Sequence, residues 1–109
     1  MKNALTSLVV ALAWAIVPAA FAAEKVSYIN IDGAIGPATA TYISRSIEAA
    51  RSQNAQCLII QLNTPGGLLD STQKIVQSFL ASPVPVIVYV APTGATATSA
   101  GCFITIAAR

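Results

Sequence analysis

The sequence predicts an α/β fold: a parallel sheet whose strands alternate with helices in the order β-α-β-α-β-turn-α. Three observations predict it. Short apolar, β-branched runs recur over residues 25–31, 57–63 and 84–90. The segments between them, 38–54 and 68–81, carry apolar residues at three- and four-residue steps. Pro and Gly punctuate every strand-to-helix junction, at Gly36-Pro37, Pro65-Gly66-Gly67 and Pro92-Thr93-Gly94. Strand-length runs alternating with helical periodicity imply right-handed crossovers between parallel strands.

The elements follow in order. Residues 1–22 have the three parts of a secretory signal: Lys2, an apolar stretch through Val17, and Pro18 before Ala20-Phe21-Ala22. This small-x-small ending predicts cleavage before Ala23 or within a residue of it, leaving one domain over 23–109 outside the cytoplasmic membrane. The other reading of the same stretch is an uncleaved anchor, since it approaches spanning length. Residues 25–31 form the first strand, stopped by Asp32-Gly33. In the helix over 38–54, Ala40, Ile43, Ile47 and Ala50 share one face, with Arg45, Glu48 and Arg51 on the solvated side. Cys57 to Asn63 is so nearly all apolar that burial on both faces is expected. Leu68, Leu69, Thr72, Ile75, Val76, Phe79 and Leu80 make a broad apolar stripe on the next helix, with Asp70 in its first turn. The third strand, 84–90, enters the turn 91–98 and a last helix led by Ser99 that runs into Arg109.

Composition excludes several chemistries. The chain of 109 residues has Lys+Arg 6 against Asp+Glu 4 and no basic run, so nucleic-acid binding has no support. Histidine is absent, which removes a Ser-His-Asp triad, a Cys-His dyad and any His-based metal site. No metal or cofactor motif is present, and Pro65-Gly66-Gly67 matches neither GxGxxG nor a Walker loop. The two cysteines, Cys57 and Cys102, are expected to pack as small buried apolar groups. A disulfide between them is compatible with export but does not follow from sequence.

Two turns carry the chemistry. Residues just past the C-terminal ends of parallel strands gather at one sheet edge. The second strand delivers Asn63-Thr-Pro-Gly-Gly67 there, and the third delivers the turn leading to Ser99. Neighbouring strands would bring the diglycine backbone to the Ser99 hydroxyl. Ser99 Oγ would then be a nucleophile, and the N–H groups of Gly67 (or Gly66) and Ala100 would face the developing oxyanion. Each turn has a plainer reading. Serine is a common helix N-cap, and Pro-Gly-Gly is a common tight turn between strand and helix. Cys102, one turn deeper, has no histidine to activate it.

Asn63-Thr-Pro-Gly-Gly-Leu-Leu-Asp70 followed by Ala95-Thr-Ala-Thr-Ser-Ala-Gly101 resembles the NfeD family of membrane-bound serine proteases, of the ClpP class. The opening strand with Gly33 and Ile35-Gly36 is similar too. The resemblance implies a ClpP/crotonase-like fold and a Ser–Lys dyad whose serine falls on Ser99. Its oxyanion donors fall on Gly67 and Ala100, with Gly66 as neighbour. It also implies a protein or peptide substrate, an apolar segment of a membrane-associated partner such as a stomatin-like protein. Homo-oligomeric protease domains, membrane helices and an OB-type domain further along the chain are implied as well.

The departure from the family pattern concerns the base. The family's lysine lies several tens of residues beyond the serine, and Lys2, Lys25 and Lys74 do not match it. The reading therefore expects a longer protein, with residues 23–109 alone aggregation-prone and hydrolytically silent. Thr98 stands where the family often has alanine and crowds the serine. Two other functions fit the same residues. One is a non-catalytic scaffold of this fold in the membrane envelope. The other is an acyl-CoA enzyme of the crotonase type, against which the export signal argues.

Overall fold

The computed structural model describes residues 23–109; the secretory signal predicted over 1–22 lies outside them. Strands β1 (Ser27–Asp32), β2 (Leu58–Asn63) and β3 (Val86–Val90) form one parallel sheet in the order β1-β2-β3. Helix α1 (Pro37–Ser52) joins β1 to β2, α2 (Leu69–Ala81) joins β2 to β3, and α3 (Ala100–Ala107) follows β3. The architecture is the predicted one. Most boundaries fall within two residues of those read from the sequence.

Pairing sets Ile29 beside Ile60 and Ile60 beside Val88, with Ile31 beside Leu62 and Leu62 beside Val90. One face of the sheet, carrying Ile29, Ile31, Leu58, Ile60, Leu62 and Val86, is buried in the core. The helices supply the rest of that core. Ala40, Ile43, Ile47 and Ala50 of α1 are all buried, as their spacing predicts, and Ile75, Phe79 and Ile104 join them. Each fully buried aliphatic side chain stabilises the fold by about 1.5–3 kcal/mol. Pro37 occupies the first turn of α1, where its missing N–H costs nothing. Asp70 lies in the first turn of α2, where the helix dipole favours its charge. Ser82 closes α2 into β3: its hydroxyl donates to the Val84 carbonyl at 2.6 Å and accepts from the Val84 N–H at 3.2 Å.

Four expectations are corrected. β2 is not buried on both faces: Leu58, Ile60 and Leu62 are buried, while Ile59, Gln61 and Asn63 are only partly covered. Crossovers of one hand moving in one direction place successive helices on one side of a sheet. The other side keeps Tyr28, Ile87 and Tyr89 exposed, and both tyrosine hydroxyls donate to Gln61 Oε1. The apolar stripe of α2 is narrower than its sequence suggests. Ser71, Thr72, Ile75 and Phe79 are buried, whereas Leu68, Leu69 and Leu80 are exposed. Cys102 is exposed and Cys57 half-buried, and both are free thiols. The last helix stops at Ala107; Ala108 is extended, and the Arg109 N–H returns to the Val86 carbonyl at 2.9 Å.

Candidate active site

Past the strand ends the chain keeps pairing, and this continued pairing builds the site. Isolated parallel bridges join Ile35 to Gly67 and Thr64 to Ala97. Thr64 N–H donates to the Thr96 carbonyl at 2.7 Å, and Thr98 N–H returns to the Thr64 carbonyl at 3.1 Å. On the other side, Ile35 N–H donates to the Gly66 carbonyl and Leu68 N–H to the Ile35 carbonyl, both at 2.9 Å. The diglycine turn is thus stitched between the loop after β1 and the loop before α3. Asn63 adds a side-chain brace. Its amide donates to Asp32 Oδ1 at 3.2 Å, and its carbonyl oxygen accepts from Thr96 N–H at 3.0 Å.

These contacts put Ser99 against the diglycine. A Cβ on Gly66 would stand 2.9 Å from Ser99 Cβ and 3.4 Å from Ser99 Oγ. Gly66 has φ +119°, a region open to glycine and disfavoured for side-chain-bearing residues. Gly67 is glycine for a different reason: a Cβ there would lie 2.0 Å from the Ile35 carbonyl oxygen. Gly101, the second residue of α3, lies against Thr64; a Cβ there would meet the Thr64 methyl at 2.6 Å.

Ser99 itself is exposed and has φ 53°, ψ −112°. Positive φ in a residue with a Cβ costs about 1–3 kcal/mol and is held only by its surroundings. Ser99 stands at the N-cap position of α3, yet its side chain makes no capping hydrogen bond. The plainer sequence reading of this serine, as a cap, is therefore not what its hydroxyl does. The nearby amides divide into used and unused. Gly66 N–H donates to Thr64 Oγ1 at 3.1 Å, Gly101 N–H to the Thr98 carbonyl at 2.9 Å and Cys102 N–H to the Ser99 carbonyl at 3.0 Å. Within the described residues, the N–H groups of Gly67 and Ala100 donate to none. Of the two glycine amides weighed from sequence, Gly67 is the one left over.

Beside this corner runs an apolar groove of about 480 Å³, lined by Leu69, Thr72, Gln73, Val76, Gln77 and Phe103. Leu69 follows the diglycine by two residues and Phe103 lies one helical turn past Ser99, so the groove opens at the same end of the sheet. A larger shallow trough of about 630 Å³ lies between α1 and α2 and holds neither Ser99 nor either glycine. Lys74 lines that trough. Lys25 precedes β1, where its carbonyl accepts from Gln56 N–H, at the opposite end of the strands from Ser99. Neither lysine is placed as a base for the serine. The one ion pair among the described residues, Glu48–Arg51, sits on the exposed flank of α1.

Sequence reasoning missed Thr64 and Asn63. A signal for Thr64 was present. Leu58, Ile60, Leu62 and Thr64 share the core-facing parity of β2, and a hydroxyl at a buried position needs a partner.

The chain is similar to known proteins in sequence and fold. The chain is 43% identical over 83 residues to the membrane-bound protease PH1510 of Pyrococcus horikoshii, and 34% identical over 85 residues to the membrane protein NfeD1b of Bacillus subtilis. These matches take in 75% and 78% of the chain, and 19% of each relative's length. Among solved structures, a serine-to-alanine variant of the 1510-N membrane-bound stomatin-specific protease superposes with TM-score 0.78 at 40% identity, covering 81% of this chain and 42% of that one. A lysine-to-alanine variant of the same protease, in complex with a substrate peptide, also gives 0.78 at 41% identity, covering 81% and 40%. ClpP1 of Listeria monocytogenes shares the fold, with TM-score 0.67 at 23% identity over 74% of this chain and 46% of that one. The chain spans less than half the length of each of these relatives. Residues 25–109 match the family model described as NfeD1b, N-terminal domain, and the chain belongs to that family.

Proposed function

We propose that this chain is the nucleophile-bearing part of an exported, membrane-associated serine endopeptidase of the Ser–Lys kind, cleaving apolar segments of membrane-associated proteins. One observation carries the reading: an exposed serine, held at positive φ, whose hydroxyl is free of capping and lies against a diglycine with a spare amide. In this reading Ser99 Oγ adds to the scissile carbonyl carbon as a neighbouring amine takes its proton. The carbonyl oxygen becomes negative between the N–H groups of Gly67 and Ala100. Collapse of that adduct expels the amine product, which receives the proton, and water then releases the acyl group from Ser99. Preorganised donors of this kind contribute about 3–4 kcal/mol each to lowering the barrier. The positive end of α3 adds to the same field.

The base is proposed to be a lysine other than Lys25 or Lys74, as the family pattern implies. The stomatin-specific relative supports a protein substrate, and the groove beside Ser99 suits an apolar side chain of it. Assembly into homo-oligomers and placement on the extracytoplasmic face belong to the same proposal, as does cleavage of the signal over 1–22. Metal and cofactor have no part in it.

The test uses the protein at its full natural length with a fluorogenic peptide of alternating Leu and Val. Wild type should cleave it, and Ser99→Ala should fold with unchanged melting temperature yet cleave at least 10³-fold more slowly. A fluorophosphonate, whose phosphorus bonds to Oγ as fluoride leaves, should label wild type and not Ser99→Ala. Cleavage by Ser99→Ala would refute the nucleophile assignment. A folded wild type that neither cleaves nor labels would favour the non-catalytic scaffold.

A further inference from the structure

Thr64 is where the two turns meet, and nothing in the reaction as drawn yet uses its side chain. The residue is fully buried. Its hydroxyl lies 3.1 Å from the Gly66 nitrogen and 3.3 Å from the Gly66 carbonyl oxygen. One O–H group can serve both, accepting from the N–H and donating to the carbonyl. The Gly66 carbonyl also accepts from Ile35 N–H at 2.9 Å. A trans peptide is planar, with its C=O and the following N–H pointing opposite ways. Anchoring the Gly66 oxygen from Ile35 and Thr64 therefore fixes the direction of the Gly67 N–H. Glycine has wider conformational freedom than any other residue type, so without an anchor this plane would turn.

We infer that Thr64 is a positioning residue whose hydroxyl holds the Gly66–Gly67 peptide plane so that the Gly67 amide is presented to the oxyanion formed at Ser99. This rests on Ser99 being the nucleophile. The Thr64 hydroxyl touches neither substrate nor reacting atoms in this scheme and acts only through the diglycine. Its methyl group has a separate task, packing against Gly101. The two tasks can be separated by substitution. Thr64→Val keeps the β-branched shape and the methyl group and replaces the hydroxyl with a second methyl. Thr64→Ser keeps the hydroxyl and removes the methyl.

The experiment uses the protein at full natural length, the fluorogenic Leu/Val peptide and the fluorophosphonate. Thr64→Val should lower kcat by roughly 10- to 100-fold with KM within about twofold, because a misaimed donor is lost in the transition state and not in substrate binding. Labelling of Ser99 should slow in parallel. Thr64→Ser should keep kcat and labelling within about threefold of wild type, despite a lower melting temperature. A packing role alone predicts the reverse order, with the serine variant worse than the valine. The inference is overturned if Thr64→Val keeps wild-type kcat, or if folded Thr64→Ser loses tenfold or more. Should Thr64→Val fail to fold, the Thr64→Ser result decides by itself. Ser99→Ala runs alongside: activity there sinks the nucleophile reading, whereas a dead Ser99→Ala with a fully active Thr64→Val sinks only the role of Thr64.

Discussion

Gly66 and Ser99 are packed so closely that a methyl group on the glycine would stand 2.9 Å from the serine Cβ. The contact joins the ends of β2 and β3 through residues that are 33 positions apart and that each hold positive φ. Gly66→Ala meets both obstacles at once, backbone strain and a displaced serine. It should cost roughly 1–3 kcal/mol of stability. On the proposed function it should also lower peptide cleavage by about 10²-fold, because the proposed nucleophile moves relative to its proposed donors. Chemical denaturation and steady-state kinetics on the protein at full natural length check the two arms. A stable and fully active Gly66→Ala would show that the contact has no bearing on catalysis.

Gly67 and Gly36 make a contrasting pair. A side chain on Gly67 would drive into the Ile35 main chain, with the added carbon 2.0 Å from the carbonyl oxygen. Main chain held by two hydrogen bonds cannot step aside as a side-chain tip can. Gly67→Ala should therefore cost roughly 4 kcal/mol or more and reduce soluble yield sharply. Gly36 has open space around it and an ordinary extended conformation at the N-cap of α1. Gly36→Ser places a capping hydroxyl there and should raise stability by a few tenths of a kcal/mol, roughly. Melting temperatures of the two variants should move in opposite directions.

The order of elements and the meeting of the two turns follow from apolar runs, Pro/Gly breaks and the geometry of parallel sheets; the strand order, the Thr64–Ala97 bridge and the Gly66–Ser99 contact agree with them. The bare sheet face was missed because Ile59 and Ile87 look like core residues in a one-dimensional pattern. Their exposure depends on which side the crossovers lie, a property of the whole sheet. Leu68, Leu69 and Leu80 were misplaced for a related reason: helical periodicity finds a stripe but does not say how wide a neighbour covers it. The positive φ of Ser99 left no trace in composition, since only glycine advertises that conformation. The habits of its residue type place Cys102 in the interior, whereas its position on α3 turns it outward.

The Glu48–Arg51 pair on α1 gives a pH prediction. Arg51 Nε donates to both Glu48 carboxylate oxygens at 3.1 Å, and this hydrogen bonding holds the Glu48 carboxyl below the ordinary glutamate range. A lowered folded-state value means that the pair's contribution is present above the unfolded glutamate pKa. It is lost as pH falls through the folded one. Both side chains are largely in water, so screening keeps the contribution small. Arg51→Gln should raise the Glu48 midpoint in an NMR titration of the side-chain carboxyl. The melting temperature at neutral pH should stay unchanged within error. An unmoved midpoint would mean that the pair does not persist in solution.

Ser99 offers a test of whether its backbone is strained for function. Its φ 53°, ψ −112° is close to the mirror image of an extended conformation, comfortable for glycine and unfavourable for alanine or serine. Replacing an exposed residue at the head of a helix by glycine is ordinarily a loss, because the unfolded chain gains freedom. Here the release of strain works against that loss. Ser99→Gly should be about 1 kcal/mol more stable than Ser99→Ala, although both lack the hydroxyl and neither should cleave peptide. Denaturant unfolding of the two variants gives the difference directly. If alanine proves the more stable, the geometry at 99 carries no strain. The hydroxyl would then owe its exposure to the loop's hydrogen bonds alone, and the case for a backbone held out of its preferred region to present a nucleophile would fail.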